Sequence, residues 1–543
     1  MRYLKRILAC TLCCVMLAGC SGSDSGTSGS ESPDAAGSNA DKTGSAAESS
    51  TSKPRSAEVS GVLPVIEINT VSTEDGVMDF VNKPVTKHVS KSIASWTPGY
   101  KIPVEPYYED CTVNVKNSGG SALLEGAAAQ VKVRGNWTTS YPKKPLRIKF
   151  EKKQSMLGLN SGAELKNWVL LAEYKDISML RNKAALQTAR ELTEQDGLYA
   201  ADSQLVEVVI NDKYWGVYLL TEQQQVNSDR VSVTKPDEGY TGTDIGYFLE
   251  YDGYYVNEDK LHQFLCTYDS NAPLKPYDGS GGSGEYYPVK DKRYPNKTLV
   301  GFTIKSDINS EAQRDFISSF VNNAYTVMYE AAYNDKAYAF NESFTEISET
   351  DKLTPEEAVR ACVNVDSLAD AYILAELTCD ADIYLTSFFM DADFGEGGDR
   401  KLTFEAPWDF DSAMGLKNRV TSGEGFYAAN AIWDVNDSYK SVNPWLAVLM
   451  YEDWFQDIIK EKWSAAYDDG VFSRTIDMVE SDAEQYGEAF TLNYDRWNNI
   501  NFNDASNEWS SGIKACRTQK DAADQLAQWL TARVGFMNEA WHK

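Results

Sequence analysis

LAELTCDADIYLTSFFMDADFGEGGDRKLTFEAPWDFDSAMG, from Leu374 to Gly415, holds two acidic clusters, Asp380/Asp382 and Asp409/Asp411. Between them lie two short β-like runs, Tyr384 to Met390 and Lys401 to Phe404, joined by the Gly-rich tip Phe394-Gly395-Glu396-Gly397-Gly398. This pattern reads as a hairpin. An antiparallel hairpin returns the chain to its starting end, so the two Asp clusters are expected to be neighbours in space. Converging carboxylates make a poor core, because a buried charge costs several kcal/mol unless it is paired or bound to metal. They suit a hard divalent cation, which takes oxygen ligands. The plainer alternatives are a solvated acidic turn or a structural calcium site. An EF-hand is disfavoured, since Ala413 stands at the third ligand position and no Glu at the twelfth.

The chain is acidic, with a formal net charge of −28. The first twenty residues, MRYLKRILACTLCCVMLAGC, have a basic start followed by an apolar run of about a dozen residues, the form of a secretory signal and too short for a membrane span. Its end, Leu17-Ala18-Gly19-Cys20, resembles the bacterial lipobox. That resemblance implies lipid modification of Cys20 and an extracytoplasmic protein held on the bacterial cell membrane by that anchor alone. Residues 21–58 are Ser, Gly, Ala, Asp and Thr with almost no large apolar group, and read as a disordered tether. Losing Arg2, Lys5 and Arg6 with the signal takes the charge from −28 to −31. That balance argues against a nucleic-acid partner, which needs clustered Lys and Arg.

After Cys20 only Cys111, Cys266, Cys362, Cys379 and Cys516 remain, widely spaced and with no CxxC, which argues against zinc. Three His in the whole chain, none beside a Ser or Cys signature, leave a hydrolase triad little to stand on.

Before the acidic stretch the chain reads mainly as strands. Gly61 to Thr70 alternates, Cys111 to Val115 and Ala127 to Arg134 follow, and Leu146 to Phe150 places Arg147 and Lys149 on one face. Arg134-Gly135-Asn136 precedes that last strand, with Lys143 and Lys144 between. A basic hairpin in an acidic protein is either a polyphosphate clamp, since Arg and Lys suit phosphate oxygens, or a cationic edge strand that deters aggregation. Trp168 to Ala172 is a further strand, and Asp176 reads as the N-cap of a helix with Arg181 and Asn182 in its second turn, in a structural role. Leu205 to Ile210, Asn211-Asp212 and Tyr214 to Thr221 form a strong hairpin signal that ends at Glu222, at the edge of a ligand cleft. Gly246 to Tyr251 and Gly301 to Lys305 add strands around a Gly/Ser/Pro/Tyr-rich insertion, 269–298, expected to be mobile. Helical periodicity follows in Glu311 to Tyr333, Val365 to Thr378, Trp445 to Tyr467, Ser473 to Tyr486 and Lys520 to Trp541. The fold class is therefore α+β, sheet-rich first and mainly helical after. The abundant Trp and Tyr either pack the core or line a face suited to sugar rings.

The order of an Asp in a loop, a hairpin and then Asp-Phe-Asp resembles the catalytic loop and metal-binding segment of protein kinases. Several linked motifs sharpen that likeness. Arg134-Gly135-Asn136 with Lys143-Lys144, Trp168 to Asp176 with Met179-Leu180-Arg181-Asn182, Tyr214 to Glu222 and Pro407-Trp408-Asp409-Phe410-Asp411 resemble, in order, the CotH kinase family (spore coat protein H-like), over roughly residues 60 to 540.

The resemblance implies a bilobal, atypical protein-kinase-like fold, with a sheet-rich lobe over about 59–305 and a helical lobe over about 306–543. It implies ATP with Mg²⁺ (or Mn²⁺) and phosphorylation of Ser or Thr hydroxyls on an exported protein. Asp382 becomes the catalytic Asp and Asp409 and Asp411 the metal ligands. Ser387 stands where kinases carry a second metal ligand, an Asn, and Asp380 where the family often has Asn. Arg134, Asn136, Lys144, Lys149 and Glu222 become nucleotide contacts, with the choice between Lys144 and Lys149 open. The alternative is a kinase-like scaffold of weak or no activity that binds a surface polysaccharide or protein.

Overall fold

Strand alternation in the first part of the chain closes on itself. In the computed structural model, which describes residues 58–70, 108–135, 137–266, 273–279, 300–417, 420–430, 432–433, 440–501 and 509–543, seven strands form a closed barrel. They are β1 (Val65–Thr70), β2 (Glu109–Lys116), β3 (Ala122–Val133), β4 (Leu146–Gln154), β5 (Leu165–Leu171), β6 (Ser203–Ile210) and β7 (Lys213–Glu222), in the order β1-β2-β3-β4-β5-β7-β6. Neighbours are antiparallel except at the closure, where β1 runs parallel to β6 with Ile66 opposite Val208. Ile66, Val113, Val131, Ile148, Trp168 and Tyr218 point inward and fill the barrel as a core of its own. The β6–β7 turn at Asn211 and Asp212 has positive φ at both residues, 49° and 60°, the geometry two-residue hairpins require. The signal sequence with Cys20, the tether up to residue 57, Asn136 and most of the 269–298 insertion lie outside the described residues.

The helix after β5, α1 (Arg181–Thr193), leaves the barrel. A second sheet follows, built from β8 (Gly246–Asp252), β9 (Gln263–Leu265), β10 (Gly301–Ile304) and β11 (Phe388–Asp393) in the order β11-β8-β10-β9. Helices α2 (Glu311–Asn334), α3 (Pro355–Cys362), α4 (Val365–Thr378), α5 (Asp453–Asp468), α6 (Val471–Gln485), α7 (Gly487–Trp497) and α8 (Gln519–Trp541) make up most of the rest of the described body. Capping boxes at Ser310/Gln313, Thr354/Glu357 and Thr518/Asp521 start α2, α3 and α8 by satisfying orphan N–H groups.

The structure departs from the sequence reading in several places. The sheet-rich part is a barrel plus a separate sheet, and the second sheet takes β8 to β10 from before residue 305 and β11 from after it. One apolar core joins Val169, Leu205, Val217 and Leu219 on the outer face of the barrel to α1, the second sheet and the helices, so the described core does not divide at residue 305. The expected helix over Trp445 to Tyr467 is a short turn, Pro444–Ala447, followed by α5, with extended backbone at Glu452 between them. α3 and α7 were not expected; α7 is polar and buries little besides Ala489, Phe490 and Asn493. Residues 273–279, expected to be mobile, include a buried Leu274, and Tyr277 donates its N–H to the Ala429 carbonyl (2.9 Å).

Candidate active site

α4 stops at Cys379, whose left-handed backbone (φ 47°) turns the chain out of the helix. Asp380 Oδ1 then accepts the N–H of Asp382 (3.2 Å), and the Asp382 carbonyl accepts the N–H groups of Leu385 (2.8 Å) and Thr386 (3.1 Å). Part of the run from Tyr384, read as strand, is therefore a tight turn, which presents the Asp382 side chain 40% exposed. β11 starts only at Phe388, and its main partner is β8 on the far side from the expected hairpin, with Met390 opposite Leu249. The hairpin survives as one bridge, Asp391 to Thr403 (2.8 and 2.9 Å), closed by the tip at Gly395 to Gly398.

That single bridge still brings the chain back. Ser387 Oγ donates to Asp409 Oδ2 (3.3 Å), so the loop before the ribbon and the loop after it meet. The second loop hangs from two helix ends. Asn182 Oδ1, at the start of α1, accepts the Phe410 N–H (2.8 Å), and Arg181 donates to the carbonyls of Ala413 (3.1 Å) and Met414 (3.3 Å). Met414 N–H in turn bonds the Thr378 carbonyl at the end of α4 (2.7 Å). Arg181 is itself fully buried in an ion pair with Asp176. Arg181 and Asn182 thus open α1 instead of lying in its second turn, and the N-cap position falls at Leu180 and not at Asp176, whose carboxylate accepts the Leu180 and Arg181 N–H groups (3.1 and 3.0 Å) from the loop before. Ser387 (φ 62°) and Asp409 (φ 73°) both have left-handed backbone, a strain of the kind that gathers at functional sites.

Charge is crowded here. Burial first, then repulsion from Asp411 and Asp382, pushes Asp409 up to about 7, against the pull of Arg134 and the Ser387 hydrogen bond. Asp409 as a residue nonetheless keeps surface open to solvent. Burial also raises Asp411, opposed by Lys175 and Lys417. Asp380 is raised well above the carboxylate range by burial and by Asp382, and its buried Oδ2 has no hydrogen-bond partner among the described residues. Asp382 pairs with Lys417 Nζ at 3.1 and 3.3 Å. Glu250 on β8 accepts the Ser387 N–H (3.2 Å) and Thr386 hydroxyl (3.3 Å) while pairing with Lys305 (2.8 Å), which fixes the turn that carries Ser387.

The basic strands face this site in part. Arg134 lies over the Trp408 ring (5.5 Å) and its charge is felt by Asp409. Arg147, its neighbour in charge, is held by Asn167 (2.9 Å). Lys149 is exposed further along the outer face of β4, beside Tyr108 (6.0 Å). Lys144 is committed elsewhere: its ammonium bonds the carbonyls of Thr139 (2.7 Å) and Tyr141 (2.9 Å), and burial draws it down to about 8. Lys143 is fully buried against Val217 O and Asn493 Oδ1 and brought down to about 7 by burial. Glu222 is the clearest correction. Its carboxylate has no exposed surface and is occupied by Arg230 (3.3 Å), Asn160 (3.0 Å) and the Asp202 N–H (2.9 Å), so it is a structural node and not a nucleotide-facing group.

Sequence reasoning missed Lys417, Lys175 and Glu250, and left Arg147 aside. Glu250 had a signal, a lone acid within the apolar run GYFLEY; Lys417 and Lys175 had none, since only folding brings them to the acids. The donor set fits a magnesium ion carried on phosphate. Asp409 and Ser387 offer oxygen atoms side by side under net negative charge, and among the described residues no three His, Cys, Asp or Glu form a cage on their own. Mg²⁺ in nucleotide sites needs no such cage, since it keeps water and phosphate oxygens beside one or two carboxylates.

No curated protein matches the chain. The family model described as CotH kinase protein matches residues 131–537, a span that takes in the end of β3, all of β4 to β11, both acidic loops and most of α8. The chain belongs to the CotH kinase protein family.

Proposed function

We propose that this protein is an atypical kinase that transfers the γ-phosphoryl group of ATP to Ser or Thr hydroxyls of an exported protein, from a position outside the cytoplasm on a lipid anchor at Cys20. In this reading the barrel and the helical body act as the two lobes of a kinase-like pair. The observation that carries it is the meeting of the two acidic loops, with Ser387 Oγ on Asp409 Oδ2 and Asp382 five residues before Ser387 on the same turn.

Asp409, with Ser387 and Asp411, would hold Mg²⁺, which when bound neutralises charge on the nucleotide phosphates. Asp382, open to solvent, orients the acceptor hydroxyl and takes its proton as the oxygen bonds to the γ-phosphorus and the bond to the ADP oxygen breaks. Arg134 and Arg147 offer positive charge from the barrel side, a place where Lys149 extends the same face. Ser387 is a weaker neutral donor than the Asn of the kinase pattern, which favours one tightly held ion over two.

Incubating the purified protein with Mg²⁺, γ-labelled ATP and extracts of exported proteins tests this. Label on Ser or Thr that falls by about 10²-fold or more in Asp382→Ala is the expected result for loss of a positioned base. Equal labelling by the two proteins, or none by either, defeats it; glycan affinity without nucleotide binding would favour the scaffold reading instead.

A further inference from the structure

We infer that Lys417 sorts the clustered carboxylates into a metal set and a proton-accepting acid by occupying Asp382, an inference that rests on the kinase reading above. The cations are shared unevenly among the clustered acids: Arg134 acts on Asp409, Lys175 on Asp411, and Lys417 on Asp380, Asp382 and Asp411. Lys417 makes a direct ion pair with one of these acids, spanning both oxygens of Asp382 at 3.1 and 3.3 Å. Its side chain is 10% exposed against 40% for Asp382, so the lysine stands behind the acid and leaves the acid's outer side open.

Its mount is rigid. Lys417 bridges Trp509 as an isolated β-pair, and the neighbouring Leu416 carbonyl accepts the Ser510 N–H (2.8 Å). The lysine is therefore presented from the end of the second acidic loop, at the point where that loop is tied to the far C-terminal part of the chain.

The chemistry follows from competition. An unpaired carboxylate beside Asp409 and Asp411 is a third oxygen donor for a divalent cation, and a base that ligates metal cannot also accept a hydroxyl proton. An ammonium across both oxygens of Asp382 raises the electrostatic cost of metal there and fixes the carboxylate in one orientation. Lys417 is on this account a positioning residue.

The test uses the full chain and Mn²⁺ alone as the probe, read by paramagnetic resonance, beside phosphotransfer with Mg·ATP. In Lys417→Met, Mn²⁺ affinity is expected to rise about 3-fold or more as Asp382 joins the metal set, while kcat falls about 10-fold or more and KM for ATP stays within about 3-fold. Lys417→Arg, which keeps the charge, is expected near wild type in Mn²⁺ affinity. On an Asp382→Asn background, Lys417→Met should add no loss of kcat, since the two act as one unit. Asp382→Asn alone covers the case in which Lys417→Met fails to fold: Mn²⁺ affinity within about 3-fold of wild type supports the inference, and a weakening of about 10-fold or more makes Asp382 a ligand already and overturns it. Unchanged or weaker Mn²⁺ binding in a folded Lys417→Met also overturns it. Failure of the wild type to transfer phosphoryl would sink the kinase reading, while the Mn²⁺ comparison would still decide the role of Lys417.

Discussion

At the scale of single residues, the site depends on side chains that never face solvent as much as on those that do. Asn182 is buried and uses both ends of its amide. Its nitrogen donates to Glu173 (3.0 and 3.1 Å) and its oxygen receives the Phe410 N–H between Asp409 and Asp411. Replacing it with Ala leaves that N–H and a buried carboxyl without partners, at a cost of about 1–3 kcal/mol. Asn182→Ala is therefore expected to lower the melting temperature and to raise the Mg²⁺ concentration needed for half-maximal phosphotransfer; an unchanged Mg²⁺ requirement in a destabilised protein would show that Asn182 serves the fold alone. The convergence of Asp382 with Asp409 was legible from order along the chain, because a folded-back ribbon has only one geometry for its two ends. The cations were not: Lys417 carries no motif, and Lys144, which looked like a phosphate contact, spends its charge on two turn carbonyls.

Among the elements, the ribbon behind the acids carries a buried pair of its own. Asp391 on β11 and Glu405 after it lie against each other; burial and mutual repulsion raise Asp391 well above the carboxylate range, and burial raises Glu405 to about 7. The buried Asp391 Oδ2 has no hydrogen-bond partner among the described residues. Because Glu405 binds its proton more tightly folded than unfolded, its contribution to stability is full below about pH 4.5 and is lost as pH rises through about 7. Asp252 and Asp370 shift in the same direction, so the mutant difference is what isolates this pair. Glu405→Gln, which keeps a hydrogen bond without the charge, is expected to lose about 1–2 kcal/mol less than wild type between pH 5 and pH 8. Thermal melts across that range check it, and parallel pH profiles for the two proteins would contradict it. The β6–β7 hairpin was readable because Asn211-Asp212 tolerates positive φ twice in succession. The pairing of β11 with β8 was not, since it joins residues more than a hundred positions apart with no local mark. α7 escaped for a different reason: its burial rests on Asn493, a polar residue whose partners, Lys143 and the Val217 N–H, come from the barrel.

For the whole molecule, the shared core is the main departure from a two-part reading of the chain. The outer face of the barrel supplies Val169, Leu205, Val217 and Leu219 to the core that the helices bury, and β8 lacks its partner β11 if the chain is cut near residue 305. Residues 58–305 alone would expose that apolar face and an open sheet edge, both routes to aggregation. Expressed separately, the two parts are expected to be insoluble or to lack a cooperative melt; a sharp transition from 58–305 by itself would show an independent domain. The division into sheet-rich and helical parts was legible from the change in hydrophobic period along the chain. Barrel closure was not, because it rests on the parallel β1–β6 pair, with Ile66 opposite Val208, and such long-range pairing leaves no sequence signal.

One cation-binding place shared by two distant acidic loops and a nucleotide is the centre of the proposed mechanism. Calorimetry of ATP binding to wild type and Asp409→Asn, each with and without Mg²⁺, measures it directly. The expected result is ATP binding by wild type that requires Mg²⁺ and is lost by about 10-fold or more in Asp409→Asn. ATP affinity that ignores Mg²⁺, or that survives the substitution intact, would contradict it.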